Sequence, residues 1–374
     1  MPSKLRVGVV FGGRSAEHEV SLVSAASVMN ALDKEKYEIV PIGITPEGRW
    51  LSSDDALALL KEKTNVSHFS EHVIVPDPEK QGLVRLHSAA DGTYRIDVLF
   101  PVLHGTYGED GTIQGLFELA DIPYVGAGVL GSAVGMDKVI QKQLLQHAKI
   151  PVAPGIWFPS SEFQKNQKTL VEKIERQLKY PAFVKPANLG SSIGISKAHN
   201  REELLEAIRL AGEYDRKILV EKGIVKAREI ECCVLGNEEP IASVPGEIVP
   251  SNEFYDYDAK YVDGKSKAII PAKLPTTAVK RIQEYATRAF SVLDCAGMAR
   301  ADFLVQRKTN RVYLNEINTI PGFTSISMFP KLWAASGLSY SELIERLIQL
   351  AIERHAWKRD VKTNYQPKAD WYKG

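Results

Sequence analysis

Two short segments constrain this chain most tightly: Ala299-Arg300-Ala301-Asp302-Phe303-Leu304-Val305 and Val312-Tyr313-Leu314-Asn315-Glu316-Ile317-Asn318. Polar residues Gln306 to Arg311 separate them, and Asn310 suits a left-handed turn position, so the pair predicts a β-hairpin. Folding about Thr309 sets Asp302 opposite Glu316 and Arg300 opposite Asn318, and strand alternation projects all four from one face. Two carboxylates and an amide on one face are unfavourable unless a cation lies among them. Hard oxygen donors of this kind suit Mg²⁺ shared with nucleotide phosphates. The same pattern also describes a solvated hairpin face carrying one Arg–Asp pair.

The rest of the chain bears on that choice. Its 374 residues predict two or three domains, each able to bury a core. With 47 basic and 46 acidic residues, no global field recruits nucleic acid or an anionic membrane. The three cysteines, Cys232, Cys233 and Cys295, lack metal-site spacing and read as reduced thiols of a cytoplasmic protein. Cys232 and Cys233 adjoin on a predicted strand and should face opposite ways. No apolar run approaches a membrane span.

The opening reads as a doubly wound α/β domain. Leu5 to Phe11 is a strand buried on both faces, followed by Gly12-Gly13-Arg14-Ser15-Ala16-Glu17 and a helix over Val20 to Leu32. The glycine spacing is not that of a dinucleotide fingerprint, which argues against a Rossmann oxidoreductase. Glu17 at the helix start suits an amine ligand or simply complements the helix dipole. A second strand is expected at Tyr37 to Ile44 and a third at Ile96 to Leu103. The third ends in His104-Gly105-Thr106-Tyr107-Gly108-Glu109-Asp110-Gly111, where open sheets place ligands.

Beyond residue 135, Lys138 lies in the first turn of a helix over 137–147 and opposes its dipole, so it should reach an anion or sit at the surface. Lys185 interrupts the apolar strand Tyr180 to Pro186 and requires an anionic partner. Gly190-Ser191-Ser192-Ile193-Gly194 is a loop whose amides could cradle phosphate. Glu221 and Lys222 end the next strand, with Glu221 facing ribose hydroxyls or solvent. A stretch over 250–264, with Tyr255, Tyr257 and Tyr261, reads as a lid or a surface hairpin tip. Ser339-x-x-Glu342 caps a last helix ending near Arg354, and residues 355–374 form a polar, basic tail, frayed or an add-on.

Phe11-Gly12-Gly13-Arg14-Ser15-Ala16-Glu17-His18-Glu19-Val20-Ser21, His104-Gly105-x-x-Gly108-Glu109-Asp110-Gly111 and Phe254-Tyr255-Asp256-Tyr257-Asp258-Ala259-Lys260-Tyr261 resemble D-alanine–D-alanine ligase signatures. Gly297-Met298-Ala299-Arg300-Ala301-Asp302 and Asn315-Glu316-Ile317-Asn318-Thr319-x-Pro321-Gly322-Phe323-Thr324 complete the set. The resemblance spans about 5–354 and implies an α/β protein of the ATP-grasp fold. It implies an N-terminal domain over 1–135, a central domain over 136–230 and a C-terminal domain over 231–354. ATP would lie between the last two.

The resemblance further implies that Lys138, Lys185, Ser191 and Ser192 hold ATP phosphates, that Glu221 and Glu229 hold the nucleoside, that Lys222 contacts ATP, and that Lys260 reaches ATP from the lid. Asp302, Glu316 and Asn318 would bind two Mg²⁺, or Mn²⁺. Glu17 and His104 would serve the first D-alanine, and Ser327 and Met328 the second. Arg300 and the Gly322 amide would steady the oxyanion, and Tyr261 would link the closed lid to Ser191 and Glu17. ATP, D-alanine and a homodimeric partner follow from the same likeness, as does a place in peptidoglycan precursor synthesis. A D-alanine–D-lactate ligase and an ATP-binding module without catalysis are the rival readings. Arg300, Asp302, Glu316 and Asn318 are all retained, which argues against the second.

Overall fold

The protein, seen in a computed structural model, is described over residues 4–63, 72–86, 93–249, 267–363 and 365. The expected lid, with Lys260 and Tyr261, lies outside the described residues, as does half of the tail.

The parallel strands Tyr37–Ile44, Leu5–Gly12 and Val98–Pro101 form the first sheet, with Trp50–Ser52 antiparallel at one edge. Leu5–Gly12 is central and buried for most of its length, as its apolar run requires. A small antiparallel sheet of His72–Ile74, Gly82–Arg85 and Thr93–Arg95 falls in the chain between Trp50–Ser52 and Val98–Pro101. The second major sheet is antiparallel, ordered Ser196–Ala198, Ala182–Pro186, Lys217–Lys222, Gly155–Pro159. Helices Ser160–Gln177 and Arg201–Tyr214 close its core through Leu170, Ile174, Leu204 and Ile208.

The third sheet is also antiparallel, with Ala227–Gly236 paired along its length to Gly297–Gln306, which pairs in turn with Val312–Asn318. Cys232 and Cys233 point to opposite faces, one into each flanking core. Helix Thr276–Val292 covers the Cys232 face through Ile282, Ala286 and Phe290. Helices Met328–Ala335 and Tyr340–Arg359 cover the other, and the last of these also packs on the first sheet, with Leu343, Leu347 and Ile348 clustered beside Val7, Val9 and Phe100.

The packing groups residues differently from cuts at 135 and 230. Leu145, Ile150 and Val152 join the core of the third sheet, and that sheet's strand Ala227–Gly236 begins before residue 230. The tail also differs from expectation. The last helix continues to Arg359, and His355 Nε2 bonds Asp121 Oδ1 at 2.9 Å while Lys358 pairs with Glu118. These contacts tie the end of the last helix to residues 118 and 121.

Phe323 joins the layers, edge-on to Phe100 at 5.6 Å and to Phe329 at 5.4 Å, fully buried. Truncating an aromatic here removes its transfer energy and leaves a cavity, so Phe323→Ala is expected to cost about 3–5 kcal/mol in urea unfolding. A loss under about 1 kcal/mol would mean that the neighbours collapse into the space.

Candidate active site

The hairpin sets the geometry. Arg300 pairs with Asn318 and Asp302 with Glu316, as symmetry about Thr309 requires, and Asn310 turns with φ 51°. Beyond Asp302 the register shifts: Phe303 pairs with Leu314, leaving Asn315 as an extra residue in the second strand. Such a bulge breaks alternation. Leu314 and Ile317 go to the core, while Asn315 and Glu316, though adjacent, are both kept out of it and both line the cleft.

Two cavities meet at this hairpin. One, of about 450 Å³, is lined by Phe183, Lys185, Ser192, Glu221, Lys222, Glu229, Asp302, Asn315 and Glu316. The other, of about 250 Å³, is lined by Glu17, His104, Lys138, Ser191, Arg300, Glu316, Asn318, Gly322, Ser327 and Met328. Glu231 and Glu316 border both. All the expected site residues among those described therefore fall on two adjoining cavities.

In the larger cavity Lys185 has the anionic partner its strand position requires: Nζ lies 2.6 Å from Glu221 Oε2 and donates to Asn315 Oδ1 at 3.1 Å. The other Glu221 oxygen pairs with Lys142. Burial opposes the Glu221 charge, but the two ammonium groups outweigh it and lower its pKa. Burial likewise opposes the Lys185 charge, yet Glu221 and Glu316 hold its pKa above the ordinary lysine value. Both Glu221 oxygens thus lie against lysines, while the residue lines the cavity. Glu229 and exposed Lys222 line the open part of the cavity.

Lys138 reaches an anion as expected, 3.2 Å from Glu316 Oε2, and donates to the Leu189 carbonyl at 2.7 Å, tethering the Gly/Ser loop. Asp137 caps that helix by accepting from the amides of Val139 and Ile140. In the loop Ser191 and Ser192 both adopt positive φ, 48° and 61°. Consecutive left-handed non-glycine residues are strained, and such strain is concentrated at ligand sites.

Arg300 donates through Nε and Nη2 to the two Asp302 oxygens at 2.7 and 2.8 Å, and Nε lies 3.3 Å from Glu231 Oε2. Burial opposes the charge, but Asp302 and Glu231 raise its pKa further above the usual guanidinium value. The Arg–Asp pair allowed for in the sequence is therefore present, inside a cleft rather than on a solvated face. Asp302, Glu316 and Asn318 supply two carboxylates and an amide on one face. That donor set fits Mg²⁺ and leaves most of its octahedral positions to phosphate oxygens and water.

Glu17 is buried and accepts a hydrogen bond from Ser191 Oγ. A Cβ on Gly105, where φ is +74°, would lie 2.8 Å from Glu17 Oε2, and one on Gly190 would lie 2.9 Å from it. Glycine at both positions makes room for the carboxylate. His104 Nδ1 contacts the Ile320 carbonyl at 3.1 Å, Nε2 contacts Ser24 Oγ at 3.3 Å, and burial lowers its pKa. Gly322 and Ser327 adjoin, Ser327 Oγ accepting from the Thr324 amide at 3.1 Å.

Sequence reasoning missed Lys142, Asn315, Glu109 and Glu231 as members of the site. Lys142 stands one turn beyond Lys138, and Glu231 follows Glu229 at strand spacing, directly opposite Asp302. Glu109 is buried beneath the smaller cavity, accepting from the Gly105 amide at 2.6 Å and the Ile320 amide at 3.3 Å. Burial, with the Glu17 charge second, pushes its carboxyl up to about 8 from 4.5, against those two hydrogen bonds. Between pH 4.5 and about 8 the unfolded chain has released this proton while the folded chain keeps it. Stability should therefore fall as pH rises through that window and level off above it. Glu109→Gln should flatten the decline in melting temperature across that window; an unchanged slope would place its source elsewhere.

Family models described as "D-ala D-ala ligase N-terminus" and "D-ala D-ala ligase C-terminus" match residues 6–127 and 144–349. A "D-alanine--D-alanine ligase" of Chloroherpeton thalassium is 52% identical over 367 residues, 96% of this chain and 99% of that protein. The solved D-alanine-D-alanine ligase of Coxiella burnetii superposes with TM-score 0.83 at 38% identity, covering 95% of this chain and 96% of the other. The VanG D-Ala:D-Ser ligase of Enterococcus faecalis gives the same TM-score and identity over 93% of this chain and all of its own. The chain belongs to the D-alanine–D-alanine ligase family, with the ATP-grasp fold.

Proposed function

We propose that this protein joins two D-alanine molecules at the expense of ATP, giving D-alanyl-D-alanine, ADP and phosphate. The observation that carries the reading is the shared wall of the two cavities. A cavity with lysines fixed for phosphate and a cavity with Glu17, Arg300 and Ser327 meet at Glu316.

ATP occupies the larger cavity, its phosphates near Lys185, Lys138 and the Ser191–Ser192 loop, with Glu229 and Lys222 toward the nucleoside. Two Mg²⁺ held by Asp302, Glu316 and Asn318 would neutralise charge on the transferring phosphoryl group. Glu17 receives the ammonium of the first D-alanine, whose carboxylate attacks the γ-phosphorus and displaces ADP. The amine of the second D-alanine, its carboxylate near Ser327 and the Met328 amide, then attacks the acyl phosphate carbonyl, and phosphate leaves. Two of Arg300's nitrogens are committed to Asp302, so Nη1 is the edge left to donate to the oxyanion together with the Gly322 amide. Donors of this kind contribute about 3–4 kcal/mol each. Lys260 and Tyr261 are proposed as lid residues that complete the site. A cytoplasmic homodimer in peptidoglycan precursor synthesis belongs to the same reading.

The three relatives carry names that pair D-alanine with an amino acid, which disfavours D-lactate as second substrate. Incubation with ATP, Mg²⁺ and D-alanine should release ADP and D-alanyl-D-alanine, with D-serine and D-lactate poorer as competing second substrates. AMP and pyrophosphate, or nucleotide turnover independent of D-alanine, would overturn the acyl phosphate route.

A further inference from the structure

Lys142 has an unusual place beside the nucleotide cavity. It is buried and lines neither of the two cavities, yet its ammonium pairs with Glu221 Oε1 and reaches the carbonyl of the bulged Asn315 at 3.4 Å. Lys185, on the cavity wall, takes the other Glu221 oxygen and the Asn315 side chain. Two ammonium groups from different elements, helix Lys138–His147 and strand Ala182–Pro186, thus share one carboxylate from a third, Lys217–Lys222. Taken alone, Lys142, Lys185 and Glu221 sum to one net positive charge, with Glu316 acting on both lysines from the hairpin; without Lys142, Glu221 would offset Lys185.

Resting on the ATP-dependent reading above, we propose that Lys142 is a positioning residue of the nucleotide site: it engages Glu221 and the bulge so that the Lys185 ammonium is not fully offset by Glu221 and stays available to the ATP phosphates. The residue acts through its neighbours and touches no substrate. Its bond to the Asn315 carbonyl, with Lys185 on the Asn315 side chain, also fixes the bulge that keeps Asn315 and Glu316 together in the cleft. Phosphate binding and the carboxylate face of the hairpin are therefore set by one buried cation.

Equilibrium binding of ATP with Mg²⁺, read by calorimetry on the full chain, tests this independently of turnover. Lys142→Met should weaken ATP binding about tenfold, as loss of charge-assisted contacts does, and raise KM for ATP with KM for D-alanine within twofold. Adding Glu221→Gln removes the neutralising carboxylate, so the double variant should bind ATP at least threefold more tightly than Lys142→Met. A merely structural lysine would give no such recovery and would disturb ATP and D-alanine alike; either outcome overturns the proposal. Lys142→Gln keeps a donor for the Asn315 carbonyl without the charge, so it serves if Lys142→Met does not fold, and wild-type ATP affinity in it overturns the proposal as well. Failure of the wild type to make dipeptide while it binds ATP would instead sink the ligase reading and leave these binding results interpretable.

Discussion

Glu316→Gln should lower kcat by about 10²–10³ while leaving the fold in place, since the exchange preserves shape and removes one charge from a site that works by positioning and electrostatics. Glu316 faces both cavities and lies 3.2 Å from Lys138, so it stands where nucleotide and acceptor meet. Its loss weakens the carboxylate face for Mg²⁺ and releases Lys138 at once. The variant should need more Mg²⁺ for half-maximal rate, and its KM for D-alanine should change less than its kcat. Phosphate release measured across a Mg²⁺ titration decides: a near wild-type rate at unchanged Mg²⁺ requirement would remove Glu316 from the proposed metal site.

Much of this site could be read from the sequence because its residues sit on regular elements with fixed periods. Alternation alone placed Arg300, Asp302, Glu316 and Asn318 on one face, and pairing of Asp302 with Glu316 holds despite the bulge one residue away. The lysine inside Tyr180 to Pro186 demanded a buried anion, and Glu221 is that anion. What the sequence leaves hidden lies where partners come from distant elements. Nothing local announces that Lys142, 79 positions away, turns inward to Glu221. The two polar neighbours Asn315 and Glu316 signalled a break in alternation, but the bulge becomes visible only from the register with the partner strand. The tail looked unstructured for want of periodicity, whereas His355 and Lys358 are held by Asp121 and Glu118 of the first domain. A contact made by two polar residues across more than 230 positions leaves no local pattern.

Arg300→Met should be the most damaging single exchange in the site, because it withdraws the cation between two carboxylates that the sheet holds opposite each other. Glu231 faces Asp302 across the ladder, and Arg300 contacts both. Removing one partner of a buried ionic group leaves uncompensated charge, which typically costs about 3–5 kcal/mol. The oxyanion donor goes with it, so dipeptide formation should fall by a further factor of about 10²–10³ beyond any loss of folded protein. Arg300→Lys should recover part of the stability but little activity, since an ammonium cannot span both Asp302 oxygens as the planar guanidinium does at 2.7 and 2.8 Å. Pairing Arg300→Met with Glu231→Gln, which leaves the proposed metal face intact, separates the two effects. The second change relieves the charge left by the first, so unfolding in urea should show stability partly restored while product formation stays at the level of Arg300→Met alone. If activity returns along with stability, Arg300 serves only to hold the hairpin face together, and the oxyanion donors must be sought among the amides around Gly322.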